Sequence, residues 1–595
     1  MNQPTVSQRL AQLRSQMAEH RLDAYIATNY DPHASEYSAA HWLARQWITG
    51  FTGSAGEAVI LPEGGGLWTD GRYYIQAEEQ LSGSGLDLFK ARLPETPSIP
   101  QWLADTLPSQ SRIGVDGRTI SYHFYLSLQA AVAGKGIDIV LTHDLIGAVW
   151  ADRPARPATP VFNHPLKYAG LTTAQKLSQV RQLMSQDSVD ELLVSTLDDV
   201  MWALNIRGGD TLYSPISESY LLLSETHATL FIDLQKLPTD VAAHLETQGV
   251  TCQPYEEIAT ALSGLAAGRH FRCCDLHTDA LLVSKLPDTV TLSHRLSYFT
   301  ELKAIKNETE LCNMKESLRL DGIAMVKFMH WLDQQVPGGS VTELNAEQQL
   351  QAFRSQQPTY IGDSFRTIAG FAAHGAKMHY AADIESNANV DEPNFFLVDS
   401  GGQYLGGTTD ITRTFSFGQL SEQQRTDYTL VLKAVIRLTQ TRFLKGSTGA
   451  NLDIMARGVL WQHGIDYKCG TGHGVGLCLN VHEGPQNFSQ SHKEVALEPN
   501  MVITNEPGVY REGEYGVRIE NIMQVVECEE TEFGAFYGFE TLTLAPIATQ
   551  ALDLEMLDNT EKQWLNTYHA QVYAVLNEAL TLQERNWLQT ATAPV

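Results

Sequence analysis

Hydrophobic positions along the chain follow two different periods. Leu311, Met314, Leu318, Ile323 and Val326 recur every three to five places and predict a long amphipathic helix, and Asn307 with Glu310 has the spacing of an N-terminal capping box. Trp564, Leu565, Tyr568, Val572 and Leu576 repeat the helical period, predicting a terminal helical extension over 549–595 that serves packing or an oligomer contact. Upstream, RLDAYIATNYD followed by WITGFTGSAGEAVILPEGGGLWTDGR shares its layout with VDELLVSTLDDVMWALNIRGGD followed by SYLLLSETHATLFIDLQK. Each offers a helix, an apolar strand, a glycine-bearing segment and further strands, so the pattern predicts a duplicated α/β domain. Between the copies lies ADRPARPATPVF, whose prolines disfavour helix and predict an extended connector. The expected organisation is a first domain over 1–150, a linker over 151–162, a second domain over 163–300, a third over 301–548 and the extension, in the α/β (α+β) class.

The third domain carries the chemistry. Its stretch FFLVDSGGQYLGGTTDITRTF, 395–415, is an apolar run that stops at Asp399 and resumes after a glycine-rich gap at Asp410. The stretch MVITNEPGVYREGEYGVRIENIMQVV, 501–526, repeats the arrangement: an apolar strand ends at Glu506, a glycine-bearing turn follows, and an alternating strand, Val517 to Val526, carries Glu520. Two similar hairpins predict internal two-fold pseudosymmetry, and facing each other they would gather four carboxylates at one centre. Negative charge so concentrated requires cations among it. Hard oxygen donors of this kind suit Mg, Mn, Fe or Co. Between the hairpins, CGTGHGVGLCLNVHEGP places His473 between glycines that let its backbone come close to such a centre. Acids at strand ends also serve as turn formers, and glycine-flanked histidines as loop fillers. The joint occurrence of all five in two matching hairpins favours the metal reading.

Composition narrows the partners. With 42 Lys and Arg against 69 Asp and Glu, the net charge of −27 opposes binding to nucleic acid or an anionic membrane. Seven cysteines without a Cys-x-x-Cys pair suggest neither a disulfide framework nor a zinc ribbon and fit a reducing cytoplasm. The first residues, MNQPTVSQRLAQLRSQM, lack the apolar segment of a signal peptide, and no apolar run approaches the ~20 residues that span a bilayer.

In VDSG, TTDITRTF, GTGHGVG, NVHEGP, NEPGVY and RIEN the chain resembles the pita-bread metallopeptidases, and within them the long, three-domain cytosolic form of the aminopeptidase P group. The resemblance covers nearly the whole chain and implies two creatinase-like N-terminal domains before a pita-bread catalytic domain with pseudo-two-fold symmetry. It implies a homodimer and two metal ions, most often manganese, with Co, Fe or Zn as alternatives. Asp410 and Glu520 would bridge the ions, Asp399 would hold one, and His473 with Glu506 would complete the other. A hydroxide shared by the ions would attack the peptide carbonyl, with Glu506 as proton shuttle. His379 and His482 match family positions that contact substrate and steady the tetrahedral intermediate. The implied activity is release of the first residue from peptides with proline second. Two alternatives are a prolidase restricted to Xaa-Pro dipeptides and, in another class, a non-catalytic peptide- or protein-binding module. Creatinase shares the fold but lacks this ligand set.

Arg518, two residues before Glu520, is expected on the same strand face, pairing with the acids or orienting substrate. In the first domain, NYDPHASEY and TDGRYY resemble segments that approach the active site, which would bring Arg72 to the distal part of the peptide with His33 and Glu36 nearby. Cys469 stands where many family members have a histidine, four residues before the metal-binding one, and weakens or replaces that contact. His374 is expected to be a solvent-facing loop residue, and Trp461 to be core or a dimer contact.

Overall fold

The structure, a computed structural model, describes residues 4–595 apart from 142, 392, 492 and 493. Two compact units emerge: residues up to 164 together with 171–299, and residues 165–170 together with 300–595.

The first unit is built from one plan used twice. Each half opens on a helix with a Thr-x-x-Gln capping box, Val6–Glu19 behind Thr5 and Thr173–Gln186 behind Thr172. The first half then lays down six strands, Ala24–Ala27, Glu57–Ile60, Gly65–Thr69, Asp87–Lys90, Arg112–Val115 and Asp138–Val140; the second lays down Glu191–Val194, Ser219–Ser224, Ala228–Ile232, Thr251–Pro254, His270–Cys273 and Thr291–His294. Numbered within its own half, each sheet has the order 4-3-2-1-5-6. Pairing directions agree strand for strand, antiparallel for 1 with 2 and 2 with 3, parallel for 3 with 4, 1 with 5 and 5 with 6. The connector over 151–162 contains no helix.

In the second unit the long helix runs over Glu308–Gln335, with the capping box at Asn307 and Glu310, and buries Leu311, Met314, Leu318, Ile323 and Val326. Two hairpin cores face inward from separate sheets. One is a three-stranded antiparallel sheet of Ile368–Phe371, Phe395–Ser400 and Ile411–Ser416; the other is six-stranded and contains Val502–Asn505 between Asn521–Thr531 and Gly472–Gly474. The C-terminal helix Asn559–Leu576 buries Leu565, Tyr568, Val572 and Leu576 within this unit's core, so the terminal extension serves packing. Among the described residues, no helix is long and apolar enough to cross a membrane.

The strand expected over Val517 to Val526 is interrupted. It forms Tyr515–Arg518 and Asn521–Thr531, with Ile519 and Glu520 between them outside any strand. The Glu520 amide donates instead to the Thr412 carbonyl of the other hairpin at 3.1 Å. A long-range bond has replaced a ladder bond there and turns the Glu520 side chain toward the facing sheet.

Candidate metal centre

Both hairpins deliver their acids in the same way. Asp399 is the penultimate residue of Phe395–Ser400 and pairs across to Thr412, and Asp410 directly precedes Ile411–Ser416. Asn505 pairs with Asn521, and Glu506 and Glu520 are the next residues inward from that rung. One threonine ties the two frames together and another braces the second from within. The Thr412 hydroxyl donates to Glu520 Oε2 at 2.8 Å, and the Thr504 hydroxyl accepts the His473 amide at 3.0 Å while lying 3.4 Å from Glu506 Oε1.

The side chains converge. Ligand-type atoms of Asp399, Asp410 and Glu520 lie within 4.8 Å of one another, as do those of His473, Glu506 and Glu520 and those of Asp410, His473 and His482. His473 Nε2 is 3.3 Å from Asp410 Oδ2 and 3.5 Å from Glu506 Oε1. Its Nδ1 lies 2.9 Å from the Gly474 carbonyl and donates to it, which in the neutral ring leaves the Nε2 lone pair facing carboxylate oxygens. The His482 ring stands perpendicular to that of His473, with centroids 4.3 Å apart.

Electrostatics makes the same point. Asp410 and Glu520 are only 3% and 1% exposed. Burial, then the neighbouring Asp399 and Glu506 carboxylates, pushes Asp410 well above the usual carboxylate range; burial, then Asp410, Glu506 and Asp399, does the same to Glu520. Asp399 Oδ1, Asp410 Oδ1 and Glu520 Oε1 are buried without a hydrogen-bond partner. Three orphaned acid oxygens opposite an imidazole lone pair fit a pair of hard or borderline divalent cations, which would satisfy all of them at once.

Arg518 is the counter-charge within the protein. Its Nη2 donates to Asp399 Oδ2 at 2.6 Å, Nη1 to the Tyr510 hydroxyl at 2.6 Å and Nε to the Thr412 hydroxyl at 3.1 Å. Burial alone would lower its pKa, but Tyr510, Asp399, Glu506 and Glu520 outweigh that and raise it. Although Arg518 and Glu520 do not share one continuous strand, the guanidinium still reaches the acids. Its Nη2 also lies 3.4 Å from the Met378 carbonyl, which ties the segment carrying His379 to the centre.

The other residues singled out from the sequence have surroundings of their own. Arg72 belongs to the N-terminal unit, where it forms a two-pronged pair with Asp70, Nε to Oδ1 at 2.9 Å and Nη2 to Oδ2 at 2.8 Å. His33 is buried in the same unit, with its ring nitrogens at the Ser195 carbonyl and the Tyr255 hydroxyl, and so ties the two sheet domains together. His374 is not a solvent-facing loop residue: its Nδ1 is 2.8 Å from the fully buried Glu343 carboxylate. Trp461 is 47% exposed at the end of its helix, its indole N–H donating to Asp466, so it is not a core residue. Cys469 is half-buried, and its carbonyl accepts from Arg457. Thr412, Thr504 and Glu343 were not singled out from the sequence; for the threonines the available signal was a hydroxyl within a short strand beside an acid, in TTDIT and VITNE.

The whole chain is similar to known proteins. Residues 312–527 match metallopeptidase family M24, 535–595 match the C-terminal region of that peptidase, and 9–147 and 152–310 match two forms of the creatinase/prolidase N-terminal domain. Aminopeptidase P2 of Arabidopsis thaliana is 37% identical, the match covering 99% of this chain and 89% of the relative. A probable Xaa-Pro aminopeptidase P of Tuber melanosporum is 38% identical over 99% of both chains. The crystal structure of X-prolyl aminopeptidase from Caenorhabditis elegans, described as a cytosolic enzyme with a di-nuclear active site, has a TM-score of 0.96, 33% identity and full coverage of both chains.

Proposed function

The chain belongs to the aminopeptidase P group of metallopeptidase family M24, and from that premise we propose that it is an Xaa-Pro aminopeptidase, a hydrolase that releases the first residue of peptides with proline in second place. The observation that carries the reading is the set of three orphaned, buried carboxylate oxygens on Asp399, Asp410 and Glu520 opposite His473 Nε2. These residues, with Glu506, would hold two divalent cations, manganese the first candidate. When bound, the pair supplies Lewis acidity and a water acidic enough to ionise near neutral pH.

The protein's own groups do the remainder. A prolyl bond is a tertiary amide with a fixed ring and no N–H, so the leaving nitrogen has to receive a proton as the bond breaks. Glu506 is the carboxylate to carry it, since its side chain is 20% exposed where that of Asp410 is 5% exposed. His379 and His482 donate to the carbonyl oxygen as charge develops there, a kind of contact that contributes on the order of 2 to 4 kcal/mol. Arg518 holds Asp399 through Oδ2, so Oδ1 is the oxygen it would offer to a cation. The same reading takes the protein as a cytosolic homodimer acting on peptides.

The test is chelation, metal analysis and add-back of manganese, followed by a peptide panel. Release of arginine from Arg-Pro-Pro by the reconstituted protein is the expected result. Cleavage of Xaa-Pro dipeptides alone would assign it as a prolidase, and absence of bound metal with no hydrolysis would leave a binding module.

A further inference from the structure

Glu343 is the first residue of the helix Glu343–Ser355, fully buried and far in sequence from every residue of the metal centre. Each of its carboxylate oxygens takes one backbone amide and one side chain. Oε1 accepts from the Phe371 amide at 2.7 Å and from His374 Nδ1 at 2.8 Å; Oε2 accepts from the Tyr380 hydroxyl and the Ala388 amide, both at 2.9 Å. The rings of His374 and Tyr380 stack at 4.5 Å. Four points along residues 371–388 are therefore gathered on one buried carboxylate, and His379 lies between two of them.

The far side of that segment is clamped by the metal-site frame. Gly375 abuts the strand Tyr515–Arg518 so closely that a Cβ on Gly516 would stand 1.8 Å from the Gly375 carbonyl, and Arg518 reaches both the Met378 carbonyl and Asp399. Each of the four donors satisfies a lone pair that would otherwise be buried unpaired, so losing one contact is costly and the arrangement has little slack. Nothing in the chemistry of the metal centre itself requires Glu343 or His374.

We propose that Glu343 and His374, with Tyr380, act as positioning residues that fix His379 against the substrate carbonyl. This rests on the assignment of His379 to substrate in the proposed function. It gives His374 a role in the reaction without contact to substrate or metal.

The test combines a mutant cycle with hydrogen exchange on the full-length, metal-loaded protein. His374→Ala is expected to lower kcat on Arg-Pro-Pro by about 5- to 20-fold at unchanged metal content, and His374→Asn, which keeps an N–H donor near the Nδ1 position, to recover most of it. In a His379→Ala background the same His374→Ala change should cost less than about 2-fold, because the residue through which it acts is gone. The Phe371 and Ala388 amides should exchange faster in His374→Ala and Glu343→Gln than in the parent. Fully additive losses in the double variant, or unchanged exchange at both amides, would overturn the clamp. Accelerated exchange supports the clamp even if the parent cleaves no prolyl bond, a result that would count against the assigned activity instead.

Discussion

Arg518 and Asp399 are joined by one 2.6 Å contact, from Nη2 to Oδ2, that leaves the other oxygen of the buried carboxylate without a donor. The guanidinium thus half-neutralises the acid and orients it, leaving Oδ1 for a ligand. Arg518→Ala would leave Asp399 buried and uncompensated, and Arg518→Lys would keep the charge but lose the fork that also holds Tyr510 and Thr412. Metal affinity is expected to fall about 10- to 100-fold in Arg518→Lys, with a larger loss of thermal stability in Arg518→Ala. Metal titration followed by melting of the loaded protein checks both, and wild-type affinity in Arg518→Ala would contradict the role.

Glu506 differs from the other three acids in being partly exposed, in lying beside the Thr504 hydroxyl, and in having no orphaned buried oxygen. Glu506→Gln should therefore keep the fold and much of the metal but lose the group that moves the proton. A kcat drop of about 10²- to 10⁴-fold with a small change in melting temperature is expected. Full turnover by a metal-loaded Glu506→Gln protein would transfer the proton step to another residue.

A pH effect should arise in the N-terminal unit, which contributes none of the proposed metal ligands. Asp279 caps the helix Ala280–Val283, accepts from the Tyr220 hydroxyl, and is pushed by burial from 3.8 to about 7, with Asp116 adding to the rise. The folded chain therefore holds a proton that the unfolded chain releases, so this group's stability term is complete below pH 3.8 and is lost as pH climbs to about 7 and beyond. Fully developed, the loss is roughly 4 kcal/mol at most. Asp279→Asn keeps an oxygen for the cap and never ionises. Its melting temperature should match the parent near pH 4 and exceed it at pH 8; parallel curves across that range would contradict the assignment.

The four carboxylates proposed as ligands were legible because apolar strands that stop or resume at an acid are conspicuous and the pattern occurs twice, and His473 because glycines flank it between the two hairpins. What supports them was not. The Glu343 to His374 contact spans 31 residues between a helix start and the short 3-10 helix Ala372–Ala376, and neither end carries a period that announces the other. The alanine- and glycine-rich neighbourhood of His374 reads as an exposed loop for the same reason: local composition says nothing of a buried carboxylate arriving from elsewhere. Likewise the alternation from Val517 to Val526 continues smoothly in sequence, while the break at Glu520 is imposed by a bond to Thr412 on the facing hairpin. The duplication of the N-terminal domain was visible as a repeated layout, but strand order came only from the fold.

Arg413 shows how the C-terminal helix bears on the centre. It is 1% exposed, and its five N–H groups lie within hydrogen-bond distance of six oxygens, the carbonyls of Pro546, Thr412, Glu520 and Ala545, the Asn521 side chain and the Tyr568 hydroxyl, with Nη2 shared among the last three and Nη1 and Nε serving the others. Its 2.7 Å bond to the Glu520 carbonyl fixes the backbone of a proposed ligand, and its 2.8 Å bond to Tyr568 anchors that backbone to Asn559–Leu576. A lysine has three donors on one nitrogen and cannot span this set, so Arg413→Lys leaves several buried carbonyls unsatisfied. A loss of about 3 to 5 kcal/mol is expected, against about 1 kcal/mol for Tyr568→Phe, which removes one hydroxyl. Because the strain falls on Glu520, Arg413→Lys should also weaken metal binding while Tyr568→Phe leaves it near the parent value. Denaturant unfolding paired with metal titration separates the two effects, and an Arg413→Lys protein that is destabilised yet binds metal as the parent does would confine this arginine to the fold.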